Sequence, residues 1–600
     1  MKLSDYVIDV LSKHGIDHVF GLTGGAVVHL FDSAARSGCV KPVFHHHEQA
    51  AAFAAQAYAR FRRKPGACFV TTGPGVTNAL TGLAAAWLDS VPCVYISGQA
   101  RLSHTSMGRK HRQIGTQHIE VMPLVSPMTK YAVLVKDASS IRYELEKALH
   151  IAISGRPGPV WIDLPLDLQW AEIDPWVLPS FYSAEETAPA AQPASDTDIA
   201  TCVKWLSESR RPLLLAGYGV PLAGAQEVFS RLVNRTGIPF VTTWGAVDIM
   251  PTSHSSNLGR PGIAGQRAAN LAIQNCDLLI AIGSHLCIPI TGTMFSSFAR
   301  SARIVMVDID PDELTDRSIT LQLPVNSDAR VFIEQLMGRI PNDEGFGCKS
   351  WYDACALYRD LYLSPPAPAG GELRSYDFVR ALSELSDGDD VIVVDGGGTN
   401  VYVAYQTFKI KGRQRMILST GLCAMGSGLP ESIGACYGSG KRRTLCLCGD
   451  GSLQLNIQEL ETIRHHNLPI KIFVTDNSGY LSIRHTQKEF LKGNYIGSAL
   501  SGGVSLPDYT KVAAAYGLPV VSIDRSEDLH QGISEALSTK GPLLCVVKCS
   551  PDQEVIPRQG FDRKPDGTFA PRPLEDMAPF LERTEFAKAM QIPSYNAPMS

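Results

Sequence analysis

Short apolar runs alternate with longer helical patterns along most of this chain, and the alternation limits the folds that it can adopt. Before residue 170 the runs include ACFVTT, CVYISG and PVWIDLP, and later ones include RPLLLAGYG, DLLIAIGS, DVIVVDGGG and IKIFVTDN. Runs of strand length separated by helices are typical of parallel sheets whose faces are covered by helices. The sequence therefore predicts an α/β fold of doubly wound, mostly parallel sheets.

Two loose stretches, SAEETAPAAQPASD and SPPAPAGGELRS, interrupt the alternation and have the composition of linkers. Because 600 residues exceed what one hydrophobic core supports, several domains are expected. We predict three α/β domains at residues 1–175, 190–340 and 370–550, followed by a Pro- and charge-rich tail at residues 551–600.

The composition gives no reason to expect a nucleic-acid or membrane partner. Hydrophobic residues make up 44%, charged residues 19%, and the net charge is −4. No apolar run approaches the ~18 residues that span a bilayer. The first residues, MKLSDYVIDVLSKHGIDHVFG, predict an amphipathic helix and a strand rather than a signal peptide. With 14 cysteines scattered through apolar runs, the chain is predicted to be reduced and cytoplasmic.

Small polar clusters follow two successive apolar runs of the third series. The run TLCLC ends in Gly449-Asp450-Gly451, and the run IKIFVT is followed by Asn477 and Gly479. Open α/β folds bind ligands at the carboxyl edge of the sheet, where both clusters are expected to lie. A carboxylate, an amide oxygen and the carbonyl of Gly479 make a hard oxygen site suited to Mg²⁺. The pair of clusters therefore predicts a magnesium site.

The same edge suits a phosphate group. Glycines let the backbone approach a ligand closely, and Ser452 with the N-terminus of the next helix is suited to an anion. A lone Gly-Asp-Gly is usually a plain turn, but with the Asn-x-Gly cluster one strand later it predicts a metal ion that bridges a diphosphate.

Two other clusters are weaker metal candidates. His45, His46 and His47 could form a metal-binding tract, but neighbours along a strand point to opposite faces, so this interpretation is rejected. Cys446 and Cys448 share one strand face, where a metal pair is conceivable, although buried core thiols are the favoured interpretation.

Several motifs resemble the acetohydroxyacid (acetolactate) synthase family of thiamine diphosphate enzymes. Besides the Gly-Asp-Gly…Asn signature, these are FGLTGGAVVHLFDS, HHHEQAAAFAAQAYAR, TTGPGVTNALTGLAAAWLDSVPCVYISGQ, RPGPVWIDLPLD and GLCAMGSGLPESIGA. The resemblance implies a pyrimidine-binding domain, a central domain that can hold FAD, and a diphosphate-binding domain, in that order. It also implies thiamine diphosphate, Mg²⁺, and a homodimer or homotetramer with active sites between chains.

The resemblance also assigns roles to individual residues. Glu48 matches the glutamate that protonates the aminopyrimidine ring, so that the ring amino group can deprotonate C2 of the thiazolium, and Gln117 matches a substrate-side glutamine. The implied cofactor-binding residues are Gly75, Asn78, Gly398, Thr399, Asn400, Cys423, Met425, Gly449, Gly451, Ser452, Tyr480 and Leu481. The implied substrate-binding residues are Gly25, Lys130, Ile483 and Thr486.

The sequence departs from the synthases in its flavin pattern and on the acceptor side. The central domain has His285, Cys287 and Pro289 at positions of arginine, aspartate and arginine, and Ile263 and Ala264 at positions of methionine and histidine. Bound FAD would therefore have a structural role. A further departure is Leu166, which stands where the synthases carry a lysine.

Thr486 falls where the synthases carry the tryptophan that selects a larger 2-oxo acid acceptor. Its neighbours Ser482, Arg484, His485 and Gln487 make the stretch polar, which predicts an acceptor rich in hydroxyl groups. This stretch looks most like relatives that attach a two-carbon unit to a keto-deoxysugar.

Four functions compete at this point. The first is carboligation of the two-carbon unit of pyruvate to a polar ketone or aldehyde, with a nucleotide-linked keto-deoxysugar as the most specific acceptor, or to a 2-oxo acid as in acetolactate synthase proper. The second is simple decarboxylation or C–C hydrolysis, and the third is an acyl-CoA lyase or ligase reaction. The fourth, a catalytically dead binding subunit, is disfavoured because Glu48, Asp450 and Asn477 are all present.

Overall fold

The computed structural model describes residues 1–106, 110–184, 192–341, 345–364, 372–566 and 568–593. Three parallel sheets follow one another along the chain, and helices connect their strands. All strand pairs in these three sheets are parallel.

The first sheet has six strands in the order β2-β1-β3-β4-β6-β5. These strands are β1 (His18–Gly21), β2 (Lys41–Phe44), β3 (Gly66–Val70), β4 (Cys93–Gln99), β5 (Tyr131–Leu134) and β6 (Val160–Pro165). The accompanying helices are α1 (Leu3–Lys13), α2 (Val28–Ser37), α3 (Glu48–Arg62), α4 (Pro74–Leu88), α5 (Met122–Val125), α6 (Ile141–Ile153), α7 (Leu166–Gln169) and α8 (Phe181–Ala184).

The second sheet has five strands in the order β11-β10-β9-β7-β8. These strands are β7 (Pro212–Ala216), β8 (Phe240–Thr242), β9 (Leu278–Ile282), β10 (Arg303–Asp308) and β11 (Leu323–Asn326). The helices of this part are α9 (Asp196–Glu208), α10 (Gly219–Leu222), α11 (Gln226–Thr236), α12 (Arg267–Asn275), α13 (Ile288–Thr291), α14 (Ala329–Arg339) and α15 (Lys349–Tyr362).

The third sheet repeats the six-stranded pattern in the order β13-β12-β14-β15-β17-β16. These strands are β12 (Val391–Val394), β13 (Arg415–Leu418), β14 (Thr444–Gly449), β15 (Ile470–Asp476), β16 (Val520–Ile523) and β17 (Leu543–Lys548). The helices are α16 (Ser375–Leu385), α17 (Thr399–Thr407), α18 (Gly428–Gly438), α19 (Asp450–Leu453), α20 (Glu459–His465), α21 (Leu481–Phe490), α22 (Tyr509–Ala515) and α23 (Leu529–Ser538).

The C-terminal segment forms two short antiparallel pairs and one helix. Their bounds are β18 (Arg558–Gln559), β19 (Phe561–Arg563), β20 (Phe569–Pro571), β21 (Met577–Ala578) and α24 (Arg583–Ala589). Within the described ranges, none of the helices combines the length and apolar character that crossing a bilayer requires.

The chain divides into two compact units. The first contains Met1–Ala190, Asp389–Asn400 and Arg415–Cys549, and therefore holds the first and third sheets. The second contains Ala191–Gly388, Val401–Gln414 and Ser550–Ser600, and therefore holds the second sheet. The predicted α/β class with three parallel-sheet domains is confirmed, whereas the exact domain boundaries stay predictions.

Helix α3 lies at the centre of the first unit and packs against α4 and α18. Its sequence, EQAAAFAAQAYARFR, places small residues on all sides, so neighbouring backbones approach closely. A Cβ on Gly434 of α18 would overlap the carbonyl oxygen of Ala54, and a Cβ on Gly82 of α4 would overlap Ala52. One hydrophobic core joins the two sheets of this unit across α3 and α18.

Polar side chains are buried within the α3–α18 contact. Nε2 of Gln56 donates a hydrogen bond of 2.7 Å to Oε1 of Glu431, whose side chain is fully buried. Burial raises the pKa of the Glu431 carboxyl to about 8. Because this value lies above the ordinary carboxyl range, Glu431 is protonated in the folded protein at neutral pH.

This protonation predicts a pH dependence of stability. The folded state holds a proton that the unfolded state releases above pH 4.5, so stability is full below that pH and is lost as pH rises to about 8. Glu431→Gln mimics the neutral acid and removes this loss. We expect its thermal midpoint to exceed that of the wild type at about pH 8 and to match it near pH 5.

Thermal melts across this pH range measure the difference, with the half-exposed Glu461 replaced by glutamine as the control. A constant offset between Glu431→Gln and wild type at all pH values would contradict a protonated Glu431.

Candidate active site

The register of β14 and β15 joins the two polar clusters at the carboxyl edge of the third sheet. Gly449 pairs with Thr475, so the residues that follow each strand are neighbours. Oδ2 of Asp450 accepts hydrogen bonds from the backbone N–H groups of Asn477 (3.1 Å) and Gly479 (2.9 Å). The structure thus brings together the three residues predicted to bind magnesium.

The oxygens of this cluster suit a divalent cation. The Asp450 side chain is buried, and burial raises its pKa to about 6 against the opposing effect of its backbone hydrogen bonds. Oδ1 of Asn477 is buried, and within the described part of the chain it has no hydrogen-bond partner. A buried amide oxygen beside a buried carboxylate fits the hard oxygen ligands that Mg²⁺ prefers.

The predicted diphosphate turn lies beside this cluster. Gly398 has a φ of +74°, and Thr399 and Asn400 begin α17. Asn400 accepts a hydrogen bond of 3.0 Å from the Thr475 hydroxyl through Oδ1. Its Nδ2 and the Thr399 hydroxyl are buried without partners in the described ranges. Unpaired donors of this kind are costly unless a ligand accepts from them, and phosphate oxygens would do so.

Two other predicted cofactor contacts border the same turn. The side chain of Met425 lies against Gly397, where a Cβ would overlap it. Cys423 precedes it with a φ of +51°, a left-handed conformation that is uncommon for a residue with a side chain. The segment that carries Cys423 and Met425 therefore packs against the glycines just before the diphosphate turn.

Gly451 and Ser452 follow Asp450 in α19. A Cβ on Gly451 would overlap the ring of Tyr480, so this position requires glycine. Leu481 begins α21 directly after Tyr480 and is buried. These predicted residues follow Asp450 in the chain, whereas the turn that carries Met425 precedes it.

The predicted pyrimidine side is built by α3 and α4. Glu48 is the first residue of α3 and is 6% exposed. Its Oε2 accepts a hydrogen bond of 2.9 Å from Nδ2 of Asn78, and Gly75 lies beside Oε1, 3.5 Å from where a Cβ would stand. The structure brings together Glu48, Gly75 and Asn78, and the buried Glu48 carboxyl accepts one hydrogen bond from an amide.

The predicted substrate residues of the first domain are more dispersed. Gln117 is exposed with a φ of +63°, and its carbonyl accepts from the Thr72 hydroxyl at 3.3 Å. Gly25 is exposed, with open space at its Cα. The Lys130 ammonium donates to the carbonyls of Ile151 and Ser154 at the end of α6. Its substrate role stays a prediction, and this bonding gives it a structural role as well.

Helix α21 divides the polar stretch around Thr486 into two faces. Ile483 (50% exposed) and Thr486 are exposed, three residues apart on one face. Arg484 is buried and donates to the carbonyls of Asn477 (2.8 Å) and Ser478 (3.0 Å). Gln487 is buried and donates to the carbonyl of Ile496 at 2.7 Å. Two of the polar side chains from which the sequence predicted a hydroxyl-rich acceptor therefore bind backbone carbonyls instead. Arg484 binds carbonyls of the metal loop, and Gln487 binds the carbonyl of Ile496.

Sequence reasoning missed two contacts that support the site. His45 is bonded to Glu459, and Asn456 is bonded to Gln49. The histidines lie after the last residue of β2, and His47 caps α3, so the strand alternation used to reject a metal tract does not apply to them. Only the buried acidic residue in the helix after the Gly-Asp-Gly motif could have indicated such a contact.

The central sheet borders a cavity of about 330 Å³. Asp312, Glu313, Asp316 and one guanidinium, that of Arg317, are among its lining residues. Arg317 donates to Glu313 at 3.0 Å and to the carbonyl of His285. Three carboxylates facing one engaged guanidinium do not fit the diphosphate of FAD.

The glycine loop after β7 is likewise unsuited to bind the diphosphate of FAD. The backbone N–H groups of Gly217 and Gly219 donate at 2.9 Å to the carbonyls of Ile282 and Gly283, so they are not available to a phosphate. No step of the reaction proposed below is therefore routed through a flavin.

Comparison with protein families defines the class of this chain. It matches the thiamine pyrophosphate enzyme N-terminal TPP binding domain at residues 1–121, the central domain at residues 199–336 and the C-terminal TPP binding domain at residues 395–547. Apart from residues 401–414, both matched TPP-binding domains lie in the unit that holds the Glu48 and Asp450 clusters. The protein is a thiamine pyrophosphate-dependent enzyme.

Individual relatives narrow the class to a family. The chain is 32% identical over 575 residues to acetolactate synthase 3, chloroplastic, of Brassica napus, covering 93% of this chain and 85% of that one. It is 31% identical over 562 residues to the acetolactate synthase isozyme 2 large subunit of Escherichia coli (strain K12), covering 93% and 97%. The chain belongs to the acetolactate synthase family, as the resemblance predicted.

The metal assignment predicts the effect of removing Asp450. Asp450→Ala deletes the single side-chain carboxylate of the proposed magnesium site, so Mg²⁺-dependent binding of thiamine diphosphate should weaken by about 100-fold or more. Titration calorimetry of the cofactor in the presence of Mg²⁺ measures this loss. Glu527→Ala, an exposed carboxylate of the same domain, serves as the control. Retention of wild-type affinity by Asp450→Ala would exclude Asp450 as a ligand.

Proposed function

We propose that this enzyme decarboxylates pyruvate and joins the resulting two-carbon unit to a polar ketone or aldehyde, with thiamine diphosphate and Mg²⁺ as cofactors. Membership of the acetolactate synthase family supports the donor and the carboligation. The observation that carries the cofactor assignment is the set of unpaired buried atoms on Thr399, Asn400 and Asn477 around Asp450.

In this proposal the diphosphate end is held by the third domain. Mg²⁺ would be held by Asp450, Asn477 and the Gly479 carbonyl. Phosphate oxygens would accept hydrogen bonds from Asn400 Nδ2 and the Thr399 hydroxyl. Arg484 keeps the Asn477–Ser478 carbonyls in place from the buried side of α21. Met425 supports the middle of the cofactor.

Glu48 acts at the other end of the cofactor. Its carboxyl group holds a proton at a nitrogen of the aminopyrimidine ring, and the amide of Asn78 fixes its orientation. Bound thiamine diphosphate supplies the electron sink for decarboxylation of a 2-oxo acid. The buried position of Glu48 excludes water from this proton, which favours its transfer to the ring.

The reaction is redox-neutral, since pyruvate loses CO₂ and the remaining two carbons form a bond to the acceptor carbonyl. A flavin therefore has no chemical task in this reaction. The proposal includes a homodimer or homotetramer with active sites between chains. Exposed Phe44, Trp87, Leu88 and Leu455 of the first unit are apolar surface that such an assembly would cover.

The acceptor is assigned from the exposed face of α21. Thr486 replaces a large indole with a small hydroxyl, which leaves volume and a hydrogen-bonding group near the metal loop. Arg484 and Gln487 are engaged elsewhere, so the acceptor is assigned to the face of α21 that carries Thr486 and Ser482. The hydroxyls of a nucleotide-linked keto-deoxysugar would hydrogen-bond to these groups, whereas 2-oxobutyrate has no hydroxyl with which to do so.

The proposed function is tested by product analysis. Purified, flavin-free protein is incubated with pyruvate, thiamine diphosphate and Mg²⁺ and a panel of nucleotide-linked keto-deoxysugars, 2-oxobutyrate or pyruvate alone, and products are identified by mass spectrometry. We expect an acetyl unit added to a sugar ketone, with acetolactate as a side product. If a 2-oxo acid exceeds every sugar ketone in kcat/KM, the enzyme is an acetolactate synthase proper. Acetaldehyde without a ligated product would indicate a decarboxylase.

Thr486→Trp tests the acceptor assignment directly. An indole at this position fills the proposed acceptor space, so kcat/KM for the sugar ketone should fall by about 10-fold or more while acetolactate formation is retained or rises. Lys488→Trp, which adds the same ring at another exposed position of α21, should change neither rate. Equal losses for both acceptors in Thr486→Trp would show that the residue does not discriminate between them.

A further inference from the structure

We propose that Glu459 is a positioning residue for Glu48. The inference rests on the proposed role of Glu48 as the group that protonates the cofactor. Glu459 begins α20, in the segment that follows the proposed metal ligand Asp450 along the chain. It holds the turn that precedes α3 and thereby sets where the Glu48 carboxyl lies.

Glu459 is buried and uses both of its carboxylate oxygens in hydrogen bonds. Its Oε2 lies 2.8 Å from Nδ1 of His45, and the Thr462 hydroxyl donates to the same oxygen at 2.8 Å. Its other oxygen, Oε1, accepts from the backbone N–H of His46 at 3.0 Å. The His45 and Glu459 side chains are 0% exposed. Both carboxylate oxygens are therefore committed to the segment directly before Glu48.

The connection between β2 and α3 is short. Strand β2 ends at Phe44 and α3 begins at Glu48, so three residues connect them. The last of them, His47, accepts the Gln49 N–H through Nδ1 at 3.1 Å and caps α3. A displacement of His45 or His46 is therefore transmitted to the first residue of α3.

Asn456, three residues before Glu459, makes two further contacts. Nδ2 of Asn456 donates to Oε1 of Gln49 at 3.1 Å and to the carbonyl of Gly426 at 2.7 Å. Gln49 follows Glu48, and Gly426 follows Met425. Asn456 and Glu459 thus hold Glu48 from both sides and connect its position to the segment that begins at Asp450.

Stability alone does not account for this arrangement. Burial of a carboxyl group with its polar partner carries a desolvation cost, and an apolar pair of similar volume often stabilises a fold as well. Nε2 of His45 is buried and has no partner in the described part of the chain, which adds to the cost. What the pair provides is a fixed geometry, and a misplacement of about 1 Å at a reacting group can cost on the order of 100-fold in rate.

The test compares Glu459→Ala, Glu459→Gln and Glu461→Ala in the full-length protein with thiamine diphosphate and Mg²⁺. The exchange rate of the cofactor C2 proton is measured by NMR after acid quench, and the cofactor Kd by calorimetry. For Glu459→Ala we expect exchange to slow by about 10-fold or more, with Kd changed by less than about 3-fold. Glu459→Gln should restore exchange, because its amide can accept from His46 N–H and donate to His45.

Glu461→Ala is the matched control, since Glu461 lies two residues away on α20 and pairs at the surface with Arg464. It should leave both quantities unchanged. If Glu459→Ala does not fold, His45→Leu against His45→Asn makes the same comparison, because the asparagine amide occupies the place of Nδ1. Parallel loss of affinity and exchange, or no loss of exchange, would overturn the positioning role.

Glu48→Gln in the same assay separates this inference from the proposed function. It should bind cofactor and slow C2 exchange more than any Glu459 variant. If Glu48→Gln exchanges at the wild-type rate, the proposed role of Glu48 fails. If Glu48→Gln is slow while Glu459→Ala and His45→Leu are not, the positioning role alone fails.

Discussion

The first unit depends on the close packing of α3 against α18. Alanines and glycines along this contact bring two helix backbones together, and one hydrophobic core then serves two six-stranded sheets. Both ends of the proposed cofactor site are attached to these helices. Glu48 is the first residue of α3, and α18 begins directly after the turn that carries Cys423 and Met425. Side chains larger than alanine at the contact would push α3 and α18 apart.

The site itself is characterised by polar groups that the protein does not satisfy. Thr399, Asn400 and Asn477 each bury an atom without a partner within the described ranges, close to a carboxylate that burial makes harder to ionise. Each such group costs about 1–3 kcal/mol in a folded protein. A diphosphate and a divalent cation would supply the missing partners. Cofactor binding would therefore offset the cost of burying these groups unpaired. By contrast, the amides of Gly217 and Gly219 in the loop after β7 are already paired with backbone carbonyls, so they do not call for a phosphate.

Central strands were predictable, whereas most edge strands were not. The apolar runs CVYISG, DLLIAIGS and TLCLCGDG correspond to β4, β9 and β14, which are buried on both faces inside their sheets. Missed strands such as β2, β5 and β16 are edge strands, and their residues are partly exposed. An edge strand in an α/β domain needs fewer apolar residues, so its sequence lacks the continuous run that identifies a central strand. The C-terminal pairs β18–β21 and β19–β20 are shorter still and follow no apolar pattern.

The sequence by itself determined the fold class and the local chemistry of the metal edge. Asp450 and Asn477 end successive central strands, and parallel register places such residues side by side whatever else the chain does. Only the tertiary structure decided which polar residues face the site and which hold its loops and helices in place. Arg484 and Gln487 turn inward on α21, the Lys130 ammonium binds the end of α6, and His45 meets Glu459 across 414 residues of sequence. Hydrogen bonds between distant segments leave no periodic trace in a sequence, because they depend on which helix faces meet once the core has formed.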